Sequence, residues 1–278
     1  MIYGMKVVVK YLLGLDRAER NFAVYPDDTF LVSYPRSGNT WSRFLIANLL
    51  HPEEEVSFTN IERLIPDTSS QPNRALKRTP RPRVIKTHEY FDPRYPKTIY
   101  IVRDPRDVVL SYYDFQRKYR QIANDYPLER YVDDFVSGCR VAAGWGTWGE
   151  NAASWVYTRS HSKGFLLLHY EDMLKDTISE LRRIGLFLGI EANPELLKRA
   201  IERSSADRMR ELEKAEANQW VATKNHRKDI PFVRTAKSGS WKTSLPESCV
   251  REIEEAWGDL MTMLGYELAS RPILQGSR

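Results

Sequence analysis

Four short apolar runs along the chain are rich in β-branched and aromatic residues and end at polar or turn residues. Such runs predict buried β-strands. They lie at Thr29–Tyr34, Arg83–Thr87, Thr98–Val102 and Phe165–His169. The runs are continuous rather than alternating, which is typical of parallel strands covered on both faces.

Between these runs, apolar residues recur at helical spacing. The predicted helices are Asn39–Leu50, Pro105–Tyr119 and Glu171–Leu188. Proline is favourable at the first position of the second helix, and acidic residues in the first turn of the third suit the helix dipole. Strands that alternate with helices predict one α/β domain over residues 1–278, with a central parallel sheet flanked by helices.

Two stretches interrupt the pattern. Residues 66–82 contain four prolines and four basic residues and are expected to form a basic loop. Residues 204–246 mix charged residues with Gly239 and Trp241, and they predict a long, mobile loop region. Loops of this length in a compact domain are usually functional or disordered.

Composition adds limits on the class of protein. The 278 residues are 42% hydrophobic and 28% charged, as in ordinary globular proteins, and the formal net charge of +5 fits an anionic ligand better than a wrapped nucleic acid. Two distant cysteines, Cys139 and Cys249, exclude a disulfide framework and favour a reducing, cytoplasmic location. The run Lys6–Leu15 is too short to span a membrane; we expect it to pack on the domain, with peripheral membrane contact as the alternative.

The first predicted strand continues into YPRSGNTW, Tyr34–Trp41, and then into a helix. A strand, a loop and a helix N-terminus together form a P-loop-like phosphate site, because free backbone N–H groups and the helix dipole face the anion. Gly38 permits close backbone approach, and Arg36 offers a guanidinium suited to bidentate phosphate contact. The short polar donors are Ser37, Asn39 and Thr40. The alternative is a plain helix capped by Ser37 or Asn39.

Other charged groups follow the next two predicted strands. Lys86 and His88 follow the second strand and Arg103 follows the third, so all should lie at the same sheet edge as Arg36. His88 is a candidate general base, with a packed or surface histidine as the alternative. Its neighbours lack the ligand spacing of a zinc site. Ser111 lies about two helical turns beyond Arg103, where both could contact one phosphate.

Two more segments offer charged groups. In RDPRD, Arg106 and Asp107 could form an exposed local ion pair, and Asp104 could imitate a magnesium ligand of an ATP-binding protein. The pattern GxxxxGK[ST] is absent, so the lysine that holds the terminal phosphates of ATP has no counterpart. The loop FVRTAKSGSWK, Phe232–Lys242, carries further cations or is a solvated basic turn.

In combination, the chain resembles the sulfotransferases that use 3′-phosphoadenosine 5′-phosphosulfate (PAPS). YPRSGNTW resembles the family's 5′-phosphosulfate loop YPKSGTTW, and KTH at Lys86–His88 resembles the segment with the catalytic histidine. VRDPRDVVLSYYDF, Val102–Phe115, resembles the 3′-phosphate segment, and LHYEDM, Leu168–Met173, resembles the family's YEDM. FVRTAKSGSWK resembles FxRKGxxGxWK. The five motifs occur in the family's order and cover most of the chain.

The resemblance implies transfer of a sulfuryl group from PAPS to an acceptor hydroxyl, without a metal. It implies His88 as the general base, with Lys86 and Arg36 stabilising charge on the leaving nucleotide. The residues implied in donor binding are Arg36, Ser37, Gly38, Asn39, Thr40, Trp41, Arg103, Ser111, Tyr170, Ser204, Arg234, Thr235 and Ala236. The donor carries about four negative charges. Four positive side chains from separate segments could balance them: Arg36, Lys86, Arg103 and Arg234. Trp41 could stack on adenine or belong to the helix core.

The chain also departs from the family pattern. Arg36 replaces the usual lysine, and Thr235 and Ala236 replace Lys-Gly in the last motif. Residues 204–206 lie where the family often has Thr-Ser-Phe, so an aromatic cover for adenine is missing. The segment KTSLPESCVRE, which begins at Lys242, does not match the family's dimer motif KxxxTVxxxE. A homodimer is therefore possible but not expected through that segment.

The acceptor stays open at this point: a small alcohol or phenol, a lipid or a glycoside, with no nucleic acid as partner. Several aromatic residues could line its pocket, although most are expected in the core: Tyr112, Tyr113, Phe115, Trp145, Trp148, Trp155 and Trp220. Two other functions remain as alternatives, a P-loop-type phosphotransferase and a non-catalytic nucleotide-binding module.

Overall fold

Four parallel strands form one sheet in the computed structural model, which describes residues 17–142, 144–220, 223–233 and 237–269. The strands are β1 Thr29–Ser33, β2 Val84–Thr87, β3 Lys97–Val102 and β4 Phe165–His169. Their order is β2-β1-β3-β4, and β1 pairs with both β2 and β3. The predicted class and the parallel sheet are confirmed, and each strand begins and ends within one residue of its apolar run.

Twelve helices lie in the described ranges. They are α1 Asn39–Leu50, α2 Ile61–Leu64, α3 Asn73–Arg78, α4 Pro105–Lys118, α5 Leu128–Val136, α6 Trp148–Arg159, α7 Tyr170–Lys175, α8 Thr177–Leu188, α9 Pro194–Arg203, α10 Ala206–Glu216, α11 Trp241–Ser244 and α12 Glu247–Met263.

The helices cover both faces of the sheet. Successive strand residues face opposite sides, because the side-chain period of a strand is two. Phe30 and Val32 of β1 therefore pack on one side with α4, α5, α6 and α12. Leu31 packs on the other side with α1, α8, α9 and α10. The continuous apolar strands are thus explained by two separate cores.

The helix predicted over Glu171–Leu188 is divided in the structure. It forms α7 and α8, which are separated at Asp176. The backbone of Asp176 is not helical, and its carboxylate accepts a hydrogen bond from the Ser179 N–H, so this residue caps α8. The single-helix prediction was wrong because the apolar period continues in phase across the capping residue.

The two predicted loops contain helices. Residues 206–216 form α10, which packs into the core through Met209 and Leu212 and is capped by Ser205. The expectation of one long loop over 204–246 was therefore wrong, because two apolar residues at helical spacing outweigh the surrounding charge. The basic stretch 66–82 includes the short helix α3.

The N-terminal run Lys6–Leu15 lies outside the described residues. Among the helices that the structure describes, none combines the length and the apolarity that crossing a bilayer requires. Cys139 is exposed and Cys249 is buried, and both thiols are free.

A buried ion pair joins the beginnings of β1 and β2. Asp28 and Arg83 approach to 2.5 Å, and their side chains are 0% and 1% exposed. The Arg83 guanidinium also donates to the carbonyl oxygens of Leu76 and Ala23. The pair thus holds β1 and β2 together where the two strands begin, at the side of the sheet opposite to their carboxyl ends.

We predict that Asp28→Ala lowers the free energy of unfolding by about 3–5 kcal/mol, because it leaves the Arg83 charge buried without its partner. Urea unfolding measures this loss. The matched control is Asp27→Ala, which removes a pair with Arg81 that is exposed to solvent. The control should lose much less stability; equal losses in the two variants would contradict the prediction.

Candidate active site

A cavity of about 690 Å³ lies at the edge where the strands end. Groups that follow each strand line it: Arg36 after β1, His88 after β2, Arg103 after β3 and Tyr170 after β4. Lys86, within β2, lines it as well. The structure therefore brings these three predicted cations and His88 into one cleft.

The loop before α1 approaches Tyr170 closely. Gly38, the N-cap of α1, has a φ of 92°. A Cβ atom at this position would lie 2.4 Å from Cδ2 of Tyr170. Both the left-handed backbone and the close contact require glycine here. No side chain caps α1, so the backbone N–H groups of its first turn are open to an anion.

The polar side chains of this loop have different roles. The Oγ atom of Ser37 is buried, and no group in the described residues forms a hydrogen bond with it, as is typical of a site that a ligand completes. Thr40 lines the cavity. The Asn39 amide instead donates to Oγ of Ser33 at 3.1 Å, which ties the loop to β1. The alternative of a helix capped by its own side chains does not hold.

Arg36 connects the loop to two other parts of the cavity. Its backbone is left-handed, with a φ of 70°, which is uncommon outside glycine. Its Nε donates to Oγ of Ser111 at 3.2 Å and its Nη2 to the carbonyl of Phe232 at 3.3 Å. The guanidinium also lies about 5 Å from the ring centroids of Phe115 and Phe232.

Arg103 lies on the other side of the same loop. Its Nη1 donates to the carbonyl of Arg36 and its Nη2 to that of Lys237, both at 3.1 Å. Its guanidinium is 4.4 Å from the ring centroid of Tyr170, and its buried Nε has no partner among the residues that the structure describes. A smaller cavity of about 240 Å³ opens here and is lined by Arg103, Ser111, Tyr170 and Lys237.

His88 is held in one tautomer. Its Nδ1 is 2.7 Å from the carbonyl oxygen of Ser33. A carbonyl can only accept, so Nδ1 carries the proton and Nε2 carries the lone pair. The ring lies edge-on to Trp145 at 5.3 Å between centroids. Burial, and then the charge of Lys86, lower the pKa of His88 to about 3, so the ring is an uncharged base at neutral pH.

Lys86 forms a buried ion pair that the sequence analysis missed. Its Nζ is 2.7 Å from Oδ2 of Asp67. Burial lowers the pKa of Lys86, and Asp67 opposes this shift. Burial also disfavours the Asp67 carboxylate, but Lys86 and Arg43 outweigh it and hold the pKa of Asp67 below its usual range. Arg43 in turn pairs with Glu62 at 3.2 Å, so four alternating charges lie beside His88.

Two of the predicted donor residues that the structure describes, Ser37 and Ser204, are buried and are not part of the cavity lining. The Oγ of Ser204 is buried and accepts a hydrogen bond from the Asn48 amide at 3.2 Å. The next two residues, Ser205 and Ala206, line the cavity instead. Trp41 also lines it, edge-on to the ring of Tyr170. Arg234, Thr235 and Ala236 lie outside the described residues.

The RDPRD segment makes contacts other than those expected. Arg106 is buried and pairs with Asp104 at 2.7 Å and with Glu254 at 2.5 Å, not with Asp107. Asp104 also caps α4, so its carboxylate is engaged, which disfavours the magnesium-ligand interpretation. The Asp107 carboxylate accepts hydrogen bonds from the backbone N–H groups of Gly239 and Trp241. These bonds hold the segment that begins at Lys237 next to Arg103.

The aromatic candidates divide between cavity and core. Tyr112, Phe115, Trp145 and Trp220 line the cavity. Trp148 and Trp155 are buried in the core, and Tyr113 packs against Tyr131. A stacked row of Phe115, Tyr119 and His226 forms part of the cavity wall. Tyr119 and His226 carried no sequence signal, because their contact joins α4 to a distant segment.

The chain is similar to known sulfotransferases in sequence. Residues 26–265 match the family model of the sulfotransferase domain. Sulfotransferase 1B1 of Canis lupus familiaris is 27% identical over 258 residues, which cover 87% of this chain and 86% of that protein. Sulfotransferase 1E1 of Rattus norvegicus is 28% identical over 250 residues, which cover 84% of this chain and 83% of that protein.

Solved structures show the same fold. Retinol dehydratase in complex with androsterone and the inactive cofactor PAP superposes with a TM-score of 0.71 at 22% identity, covering 95% of this chain and 87% of that one. Mouse sulfotransferase SULT7A1 complexed with PAP superposes with a TM-score of 0.69 at 24% identity, covering 90% of this chain and 91% of that one. The sheet, the motifs and the family match agree, and the chain belongs to the sulfotransferase domain family.

Proposed function

We propose that this sulfotransferase takes its sulfuryl group from PAPS and transfers it to a hydroxyl of a small-molecule acceptor, with His88 as general base. One observation carries the proposal. The lone pair of His88, three cations from different strands and an uncapped helix N-terminus meet in one cavity. The solved relatives named above were crystallised with PAP, which supports the same nucleotide for this chain.

The residues fit a donor with anionic groups at two places. The open N–H groups of α1, the partnerless Oγ of Ser37 and the charge of Lys86 suit the 5′ end. The small cavity between Arg103 and Ser111 suits the 3′-phosphate, where the partnerless Nε of Arg103 can donate. By resemblance, residues 234–236 are proposed to add to this second place.

The adenine of the donor needs an apolar face. Trp41 lines the cavity beside Tyr170 and is proposed to stack on the base. Ser204 does not reach this face with its side chain, and Ala206 provides no aromatic cover. Met209, which is buried and lines the same cavity, offers an apolar surface in its place.

His88 is placed to move a proton. Nε2 is proposed to take the hydroxyl proton of the acceptor, while the Ser33 carbonyl holds Nδ1–H and so stabilises the charged ring that results. When bound, PAPS supplies the activated sulfuryl group. Lys86 and Arg36 supply positive charge next to it, and Asp67 keeps the Lys86 ammonium in position.

The alternatives are less well supported. A P-loop-type phosphotransferase needs a GK[ST] lysine and a free magnesium ligand, and Asp104 is held by Arg106. A non-catalytic module would have no need for a histidine whose lone pair faces the cavity. The sulfotransferase is therefore the favoured function.

We also propose a location and a limit on how the protein assembles. The two free thiols support the cytoplasm as location. The segment that begins at Lys242 forms most of α11 and the first turns of α12. It lacks the family's dimer motif, so a homodimer, if there is one, is proposed to use another surface.

We predict that His88→Ala lowers turnover by a factor of about 10² to 10⁴, because the proton acceptor is lost. The affinity for PAP should change by no more than about twofold, since Nε2 serves the acceptor and not the nucleotide. Turnover with labelled PAPS and calorimetry with PAP measure the two quantities. His161→Ala, on an exposed residue, is the control. A His88→Ala variant with nearly full turnover would disprove the assignment of the base.

We predict that Lys86→Met raises the pKa of His88 from about 3 towards 6.5, because a nearby positive charge is removed while the opposing charge of Asp67 remains. Burial, the larger cause, remains, so the pKa stays below 6.5. An NMR titration of the ring measures it, with Lys163→Met, on an exposed residue, as control. The double variant Asp67→Asn/Lys86→Met leaves no unpaired charge and should show a smaller rise. An unchanged or lower pKa in both variants would contradict the account.

A further inference from the structure

The part of the cavity beyond His88 has a polar wall, formed by Arg17, Asp67, Ser69 and Ser70. These residues lie together. The backbone of Arg17 forms an antiparallel bridge with Pro72, and Asp67 contacts Lys86, two residues before His88. The wall therefore belongs to the acceptor side of the cleft, away from Arg103 and the small cavity.

The hydroxyl hydrogens of the two serines in this wall are already used. Oγ of Ser69 donates to Oδ1 of Asp67 at 2.7 Å, and Oγ of Ser70 donates to Oε2 of Glu62 at 3.3 Å. Nζ of Lys86 donates to Oδ2 of Asp67. These bonds leave each of the two serines with an oxygen atom that can accept but with no hydroxyl hydrogen to donate.

The two serine oxygens keep their capacity to accept. A hydroxyl has one donor and two acceptor sites, and in the described part of the chain no group donates to Oγ of Ser70. Oγ of Ser69 likewise receives no hydrogen bond there. The exposed guanidinium of Arg17 adds donors at the mouth. Such a wall suits a ligand that presents several O–H groups.

The remainder of the acceptor side is aromatic. Trp145 lies edge-on to His88, and Phe115 and Tyr119 stack with ring centroids 4.0 Å apart. Aromatic faces pack well against C–H groups. A wholly apolar acceptor would fill this space but would also strip water from Asp67 and the two serines without replacing their hydrogen bonds, which is costly.

We propose that the acceptor is a polyhydroxylated compound, a glycoside, whose hydroxyl groups donate to Ser69 and Ser70 while its C–H face lies on Trp145 and Phe115. One further hydroxyl of the sugar would then reach Nε2 of His88. A simple phenol has a single hydroxyl, which His88 would use, and it leaves the polar wall unmatched. This inference rests on the proposed function and specifies its substrate class.

The test compares phenyl β-glucoside, p-cresol and androsterone as acceptors of labelled sulfate from PAPS. Phenyl β-glucoside shares its ring with p-cresol but offers only sugar hydroxyls. We expect its kcat/KM to exceed that of p-cresol and of androsterone by roughly tenfold or more. The sugar hydroxyls form hydrogen bonds with Ser69 and Ser70, whereas p-cresol and androsterone leave these serines without such partners. The mass of the product shows that the sugar carries the sulfate.

The double variant Ser69→Ala/Ser70→Ala tests the wall itself. We expect the ratio of kcat/KM between phenyl β-glucoside and p-cresol to fall roughly tenfold, because two hydrogen bonds to the sugar are lost. Calorimetry with PAP checks that the variant is folded. Ser137→Ala, on an exposed serine outside the cavity, is the control and should keep the ratio.

Three results would overturn the proposal: an equal or higher kcat/KM for p-cresol or androsterone, an unchanged ratio in the double variant, or no sulfated glucoside from a protein that binds PAP. In each case the proposed function survives as long as any of the three acceptors is sulfated, because transfer to an acceptor is measured separately from the preference among acceptors. A protein that fails to bind PAP removes the proposed function and, with it, this inference.

Discussion

Parallel strands bring their carboxyl ends to one edge of a sheet, and this constraint organises the whole molecule. The four strands are followed by the phosphate loop, by His88, by Arg103 and by Tyr170, and all four groups border one cavity. Arg36 and Tyr170, which are 134 positions apart in the sequence (170 − 36), therefore border the same cavity. The close contact of Gly38 with Tyr170 shows how tightly the first and last of these strand ends are packed.

Positive charge at this edge must be kept in place before an anion arrives. The pairs Lys86–Asp67 and Arg43–Glu62 do so within the protein, at 2.7 and 3.2 Å. A buried ammonium without such a partner would lose its proton more readily. The same charges act on His88: Lys86 disfavours the protonated ring and Asp67 favours it. One buried network thus keeps the positive charge of Lys86 in the cavity and keeps the ring of His88 uncharged.

The sequence predicts the part of this arrangement that depends on local pattern. The strands, α1 and the positions of Lys86, His88 and Arg103 follow from apolar runs and motifs, because those signals are contiguous. The role of Asp67 depends on a contact between a proline-rich loop and β2, which no local pattern encodes. The position of Ser204 has a related explanation: motif order identifies the segment, but only packing against Asn48 decides that Ser205, and not Ser204, lines the cavity.

The central claim is that cations from separate strands converge on a nucleotide with anionic groups at both ends of its ribose. A calorimetric titration of the protein with PAP and, separately, with magnesium ATP tests it most directly. The account predicts that PAP binds more tightly by a factor of roughly 100 or more, equivalent to about 2.7 kcal/mol, and that magnesium is not needed. Equal affinities, or binding that depends on magnesium ATP, would contradict it.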